Sequence, residues 1–236
     1  MIAFLTSSAY DEEENIQTVN SFLDNLKKHW PNKANVLYIA SFPDNYEITD
    51  EYSSKHFEAY KKAGLSINKF IVLDHRNVNM FNDVFMDTNV IILCGGHCPT
   101  EMKFFNELHL KERLKSYDGI IIATSAGSMN SANVVYAQPE EEGETSSDYV
   151  KYYEGLGLTN INILPHYQDY KNHILDGKRV FEDITYKDSD NKFFYCFNDG
   201  TYLLIEDGFE TIYGETYLIH DGFLKKLQND NDYLRI

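Results

Sequence analysis

The chain is poor in cysteine, in positive charge and in long apolar runs, and each shortage closes off a class of protein. Three cysteines, Cys94, Cys98 and Cys196, occur in 236 residues. So sparse and odd a set does not build the disulfide framework of a small secreted scaffold. Lysine and arginine number 21 against 37 aspartates and glutamates, a formal net charge of −16. The cations are scattered without a basic stripe, which argues against nucleic acid as a partner, because phosphate neutralisation needs clustered cations. The acidic balance reads as a solubility feature, and a site for an anionic ligand would need a cation placed locally. No apolar run approaches the roughly 20 residues of a membrane-spanning helix. The first residues, Met1 to Ser8, have no basic n-region and only a short apolar run, so they read as a strand rather than a signal peptide. A cytoplasmic protein without a membrane partner is expected. No internal repeat and no linker interrupt the chain, and its length suits one domain over residues 1–236.

What is present is an alternation of strand-like and helix-like segments. Strands are predicted at Ile2–Leu5, Asn35–Ser41, Ile67–Leu73, Val90–Cys94 and Gly119–Ala123. Helices are predicted at Glu13–His29, Tyr52–Ala63 and Thr100–Leu114, from apolar residues at helical spacing and from Gly64 as a stop. Continuous apolar strands separated by helices imply an α/β fold, a mostly parallel central sheet flanked by helices of the flavodoxin-like type. The second half differs. It has an acidic loop from Gln138 to Ser147 and a short strand, Asn160–Leu164. Strand-like pieces follow at Phe193–Phe197, Tyr202–Ile205, Thr211–Tyr213 and Tyr217–His220, read as C-terminal β-hairpins that extend the sheet. The segment Gln228 to Asp232 reads as a frayed surface stretch.

The most informative segment is Asp118-Gly-Ile-Ile-Ile-Ala-Thr-Ser-Ala-Gly-Ser128. A buried strand runs into Ser125, and Ala123, Ala126 and Gly127 leave room for a sharp strand-to-helix turn, as in a nucleophile elbow. The plainer reading is that Thr124 and Ser125 cap a helix. A serine hydroxyl needs a base, and the base needs an orienting carboxylate. His166, at the exit of Ile161-Asn-Ile-Leu-Pro-His, is the candidate base, with His75 a weaker strand-end alternative. Asp199, directly after the apolar run Phe193–Phe197, is one candidate acid, although Asp199-Gly200 also reads as a hairpin turn. Glu140, in an acidic run, is the competing acid. The oxyanion candidates are the amides of Ala126 and of Gly95 or Gly96, since glycine lets backbone approach a substrate closely. Cys94, His97 and Cys98 are too cramped for a tetrahedral metal site and no second pair completes one. No metal and no organic cofactor is expected.

Four segments together resemble a known family. They are Ile91-Ile-Leu-Cys-Gly-Gly96, Ala123-Thr-Ser-Ala-Gly127, Leu164-Pro-His166 and Asn198-Asp-Gly200. Their order and spacing are similar to the peptidase E (aspartyl dipeptidase) and cyanophycinase family of serine peptidases, peptidase family S51, which have a class I glutamine-amidotransferase-like fold. The resemblance covers roughly residues 1–220. It implies Ser125 as nucleophile, His166 as general base and an acid at Asp199, where the family commonly has glutamate. An older assignment in the family corresponds to Glu140 here, but Asp199 is preferred because it sits at a strand end rather than in a mobile acidic loop. Aspartate-selective members use an arginine after the histidine, and the nearest match is Arg179, suited to a bidentate carboxylate pair. The family's Gly-Gly-Gly-Asn or Gly-Gly-Asn-Thr loop reads Gly95-Gly96-His97-Cys98-Pro99-Thr100 here, which places His97 in the substrate pocket. The expectation is a peptidase acting on short peptides, with Asp-Xaa dipeptides as the implied substrates, working as a monomer or homodimer. The rivals are an amidotransferase-like activity, which normally needs a cysteine at the elbow, and a non-catalytic protein that binds a small ligand on the same fold.

Overall fold

The computed structural model describes residues 1–236. The first half carries strands β1 (Ile2–Thr6), β2 (Ala34–Ile39), β3 (Ile67–Leu73), β4 (Val90–Leu93) and β5 (Ile120–Thr124). Between them lie helices α1 (Phe22–His29), α2 (Tyr46–Lys62), α3 (Phe81–Met86), α4 (Cys98–Glu107) and α5 (Leu110–Leu114). After α6 (Ala126–Asn130) come short strands β6 (Val134–Tyr136), β7 (Tyr152–Glu154) and β8 (Asn162–Leu164), then helix α7 (Tyr167–Tyr170). Next are β9 (Ile174–Leu175), β10 (Lys178–Arg179) and helix α8 (Tyr186–Asp188). The chain ends with β11 (Phe193–Phe197), β12 (Tyr202–Glu206), β13 (Phe209–Tyr213), β14 (Thr216–His220), β15 (Phe223–Gln228) and β16 (Tyr233–Arg235).

The main sheet has the order β16-β13-β12-β1-β5-β4-β2-β3. Its five strands from β1 to β3 are parallel, and β12, β13 and β16 extend it antiparallel beyond β1. Strand alternation explains why the central strands are apolar throughout. Leu5, Leu37, Ile91 and Ile121 face one core, over which α3, α4 and α5 pack. Phe4, Val36, Ile92 and Ile122 face the other, against Phe22 and Leu26 of α1 and Tyr60 of α2. Both faces are covered, so there is no solvent side to demand polar residues. No helix is long and apolar enough to cross a membrane.

A second sheet, β15-β14-β11-β8, stands beside the first. Here the hairpin expectation is corrected in part. The β12–β13 hairpin extends the main sheet, but β11, β14 and β15 pair with β8 in the smaller one. The turns Asp207-Gly208 and Asp221-Gly222 have both residues at positive φ, the geometry of a tight two-residue hairpin. Beyond the second of them, the expected frayed end is a surface turn between β15 and β16.

The helices also differ from their expected bounds. The helix expected from Glu13 begins only at Phe22. Asp11 Oδ1 accepts the amides of Glu13 and Asn15 at 2.9 and 2.8 Å, and this side-chain turn competes with helix. The helix expected at Tyr52 starts at Tyr46, because the Asn45 side chain caps the amide of Ile48. The helix expected over Thr100–Leu114 is two helices, separated at His109 in the left-handed conformation with φ 50°.

Candidate active site

Ser125 sits where β5 ends and α6 begins. Its backbone has φ 51° and ψ −116°, a strained conformation for a residue with a side chain. The strain is held from both sides. Its amide donates to the carbonyls of Thr6 and Ser7, each at 3.1 Å, while Ser128 and Met129 donate to its carbonyl. Ser125 occupies the capping position of α6, yet its side chain makes no cap hydrogen bond, so the plainer capping role is not what it performs. Gly127 is required by the next step of the turn. A Cβ there would lie 2.7 Å from the Leu93 carbonyl oxygen and 2.8 Å from that of Cys94. The helix therefore packs directly on the end of β4.

Gly95 and Gly96 leave that same strand end. A Cβ on Gly95 would come 2.9 Å from the Ser125 Cβ, and one on Gly96 would meet Phe42 and Ser41 at 2.7 Å. Ser41 Oγ donates to the Gly95 carbonyl at 2.7 Å and pins the loop. The amides of Gly95, Gly96 and Ala126 find no acceptor within the protein. Ala126 is the first residue of α6, where an N–H has no intrahelical partner.

His166 and Asp199 come from the smaller sheet. β8 and β11 are neighbouring parallel strands, so Pro165-His166 and Asn198-Asp199 leave the same sheet edge side by side. His166 Nδ1 and Asp199 Oδ1 are 2.7 Å apart. The Asp199-Gly200 pair is not a hairpin turn. Only the glycine has positive φ, and the strands on either side belong to different sheets. Burial alone would raise the Asp199 carboxyl, but the hydrogen bond and charge of His166, joined by Ser7 and Gln168, outweigh it and hold the carboxyl below its ordinary value.

Sequence reasoning missed the residue that joins the two sheets. Ser7, at the end of β1, is fully buried. Its Oγ accepts the His166 amide at 2.7 Å and donates to Asp199 Oδ1 at 2.8 Å, and its carbonyl receives the Ser125 amide. Gln168 was also missed. Its Oε1 accepts the Asp199 amide at 3.0 Å. Neither residue carries a local signal, since a serine after a strand and a glutamine on a short helix are commonplace.

Ser125, His166, Gly95, Gly96, His97 and Glu140 all line one cavity of about 580 Å³ at the carboxyl ends of the strands, the usual place for a ligand in such a sheet. No hydrogen bond joins Ser125 to His166, and Asp199 stands behind the histidine, outside the lining. Of the two candidate acids, Glu140 is in the cavity wall and makes no bond to His166. His97 is held between Thr100 Oγ1 and Glu144 Oε1, both at 2.7 Å. Arg179 is not brought to the cavity. It lies exposed on β10, forked onto Asp183 through Nε at 3.1 Å and Nη2 at 2.9 Å. His75 is likewise elsewhere, between Asp44 and Glu107 on the surface. The three cysteines are free and buried, and Cys98 contacts Asn130 and Tyr153 rather than His97.

Comparison with known proteins bears on this arrangement. No curated protein sequence matches the chain. Its fold is similar to the crystal structure of a peptidase from an acI-B1 Actinobacterium, with a TM-score of 0.66 and 16% identity over 100% of this chain and 96% of that one. It is also similar to a putative peptidase E protein from Listeria monocytogenes EGD-e, with a TM-score of 0.58 and 17% identity over 96% and 98% of the two chains. The profile of Peptidase family S51 matches residues 2–212. The chain belongs to peptidase family S51 and is a serine-type peptidase.

Proposed function

We propose that the chain hydrolyses short peptides through Ser125, His166 and Asp199. Ser125 Oγ attacks the scissile carbonyl carbon, and His166 takes the hydroxyl proton through Nε2 while Asp199 holds the Nδ1–H. The amides of Ala126 and of Gly96 or Gly95 donate to the oxyanion that forms. Collapse of this intermediate breaks the C–N bond, and His166 gives its proton to the departing amine. A water molecule, deprotonated in turn by His166, then hydrolyses the acyl ester and restores the serine. The observation that carries the reading is the 2.7 Å contact between His166 and Asp199 behind a cavity whose floor is an uncapped, strained serine. His97 in the same wall is a substrate-binding residue in this reading.

An amidotransferase would need a thiolate at the elbow, where this chain has serine. Its nearest cysteines, Cys94 and Cys98, have thiols pushed well up by burial. The Asp-Xaa preference of aspartyl dipeptidases finds little support in the geometry, because Arg179 is engaged by Asp183 outside the cavity. The test is a dipeptide panel that includes Asp-Xaa members, assayed with wild type and Ser125→Ala, together with labelling by a serine-directed phosphonate. Wild type is expected to cleave some members and to take up one phosphonate at Ser125, and Ser125→Ala to do neither while keeping its circular dichroism spectrum. Cleavage that survives Ser125→Ala overturns the mechanism, and a complete lack of cleavage and labelling points to a ligand-binding protein on this fold.

A further inference from the structure

Between β6 and β7 the chain runs through residues 137–151 without helix or strand. Gln138, Glu140 and Glu141 of this acidic loop form one wall of the cavity that holds Ser125, and Gly95, Gly96 and His97 form another. The two walls meet through one carboxylate. Glu144 Oε1 lies 2.7 Å from His97 Nε2, while Glu144 Oε2 accepts the amides of Glu140 and Glu141 at 2.8 and 3.0 Å. Three N–H donors from two loops thus converge on Glu144. Its side chain is 13% exposed and that of His97 14%, although Glu141, Glu142 and Gly143 alongside are exposed. The contact is therefore shielded from the water and salt that weaken a surface pair.

The geometry around His97 fixes the loop that carries the oxyanion candidates. A carboxylate only accepts, so Nε2 carries the hydrogen of the contact with Glu144. Thr100 Oγ1, 2.7 Å from Nδ1, engages the other nitrogen. Neither nitrogen is left for a ligand, which can meet the ring alone. Gly96, whose amide finds no acceptor in the protein, lies between two anchors. Ser41 Oγ holds the Gly95 carbonyl at 2.7 Å on one side, and Glu144 holds the His97 ring on the other. The acidic loop is itself secured from behind. Asp176, in the turn between β9 and β10, accepts the Gly143 amide at 3.0 Å and Thr145 Oγ1 at 2.9 Å. An oxyanion donor works by fixed placement, and a misplacement of about 1 Å can cost about 10²-fold in rate.

We propose that Glu144 is a positioning residue, which braces the Gly95–His97 loop against the acidic loop and so places the Gly96 amide as an oxyanion donor. The effect on rate rests on the hydrolysis proposed above, whereas the brace itself is read without turnover. Hydrogen exchange of residues 95–100 and 138–147 is compared in wild type, His97→Ala and Glu144→Ala. Each substitution is expected to speed exchange about tenfold or more in the loop opposite to it, the loss of one charge-assisted hydrogen bond. The rate at which a serine-directed phosphonate labels Ser125 reports the donors, because the phosphoryl oxygen of the adduct occupies the oxyanion position. Both variants are expected to label about tenfold or more slowly. On a neutral dipeptide their kcat should fall likewise, with KM changed by less than about threefold. The double variant should lose no more than either single one, since all three lack the same contact. His97→Gln, whose side-chain amide can donate to Glu144, should recover most of the lost rate. Unchanged exchange in the opposite loop, losses that add in the double variant, wild-type labelling in both alanine variants, or a His97→Gln no better than His97→Ala overturns the proposal. Linked exchange in a protein whose Ser125 never labels would strike the serine mechanism and leave the brace standing. Rapid labelling with unlinked exchange would do the opposite.

Discussion

Ser7 shows how much a single buried hydroxyl can organise. It accepts the backbone of His166, donates to the carboxylate of Asp199, and its peptide carbonyl fixes the amide of Ser125. Ser7→Ala removes a hydrogen bond to a charged acceptor, so kcat is expected to fall about tenfold or more. Its KM should be nearly unchanged, because Ser7 does not line the cavity. Steady-state kinetics on a neutral dipeptide would reveal the split, and a change confined to KM would refute this positioning role. Asp199→Asn should be far more severe, about 10³- to 10⁴-fold in kcat, since the histidine loses the partner that sets its tautomer. Glu140→Gln on the same neutral peptide should cost much less, and equal losses would sink the choice of Asp199. Both acids are visible in the sequence as candidates, and the strand-end position of Asp199 favours it over Glu140 in its acidic loop, but the contact itself is not visible there. It depends on which loop lies behind His166, and Asp199 and Glu140 are separated from that histidine by stretches whose path is set by packing.

The elements around Ser125 are bound by close backbone contact. α6 lies on the end of β4, with the Gly127 amide bonded to the Cys94 carbonyl at 3.1 Å. Gly127→Ala would push a methyl group into two carbonyl oxygens that have no room to yield. A loss of roughly 1–3 kcal/mol is expected, read as a fall in Tm of several degrees. An unchanged Tm would show that the helix can lift from the strand. The elements themselves were legible to different degrees. The parallel strands announced themselves through unbroken apolar runs buried on both faces. The first part of the helix expected from Glu13 did not form, because its apolar spacing was overridden by the Asp11 side chain turning the chain locally. Asp-Gly pairs looked alike in sequence, yet Asp207-Gly208 closes a hairpin whereas Asp199-Gly200 crosses from one sheet to the other.

At the scale of the whole molecule, enclosing an acid in the fold beside other acids has one consequence for stability. The Glu140 carboxyl is raised to about 8 in the folded state, above its ordinary 4.5. The folded protein then holds a proton that the unfolded chain has released, so this group's contribution is fully present below pH 4.5 and declines as pH rises towards 8. Glu140→Gln should therefore match wild type in Tm at pH 5 and exceed it by a few degrees at pH 9. Thermal unfolding of the two proteins across that range is the check, and a variant that is less stable at pH 9 would contradict the assignment. Asp199 acts in the opposite sense. Its lowered carboxyl favours the folded state above its ordinary value of 3.8, and that contribution is lost only as pH falls below it.

The sequence by itself determined the parallel α/β core, the serine at the end of β5 and the histidine at the end of β8. These follow from local pattern, namely apolar runs, small residues around a turn, and a proline-histidine pair at a strand exit. Tertiary structure alone decided that Asp199 and not Glu140 meets the histidine, that Ser7 ties the sheets together, and that Arg179 stays on the surface with Asp183. Those outcomes depend on which strands become neighbours in two separate sheets. Strand pairing joins residues far apart in the chain, and no window of sequence contains both partners.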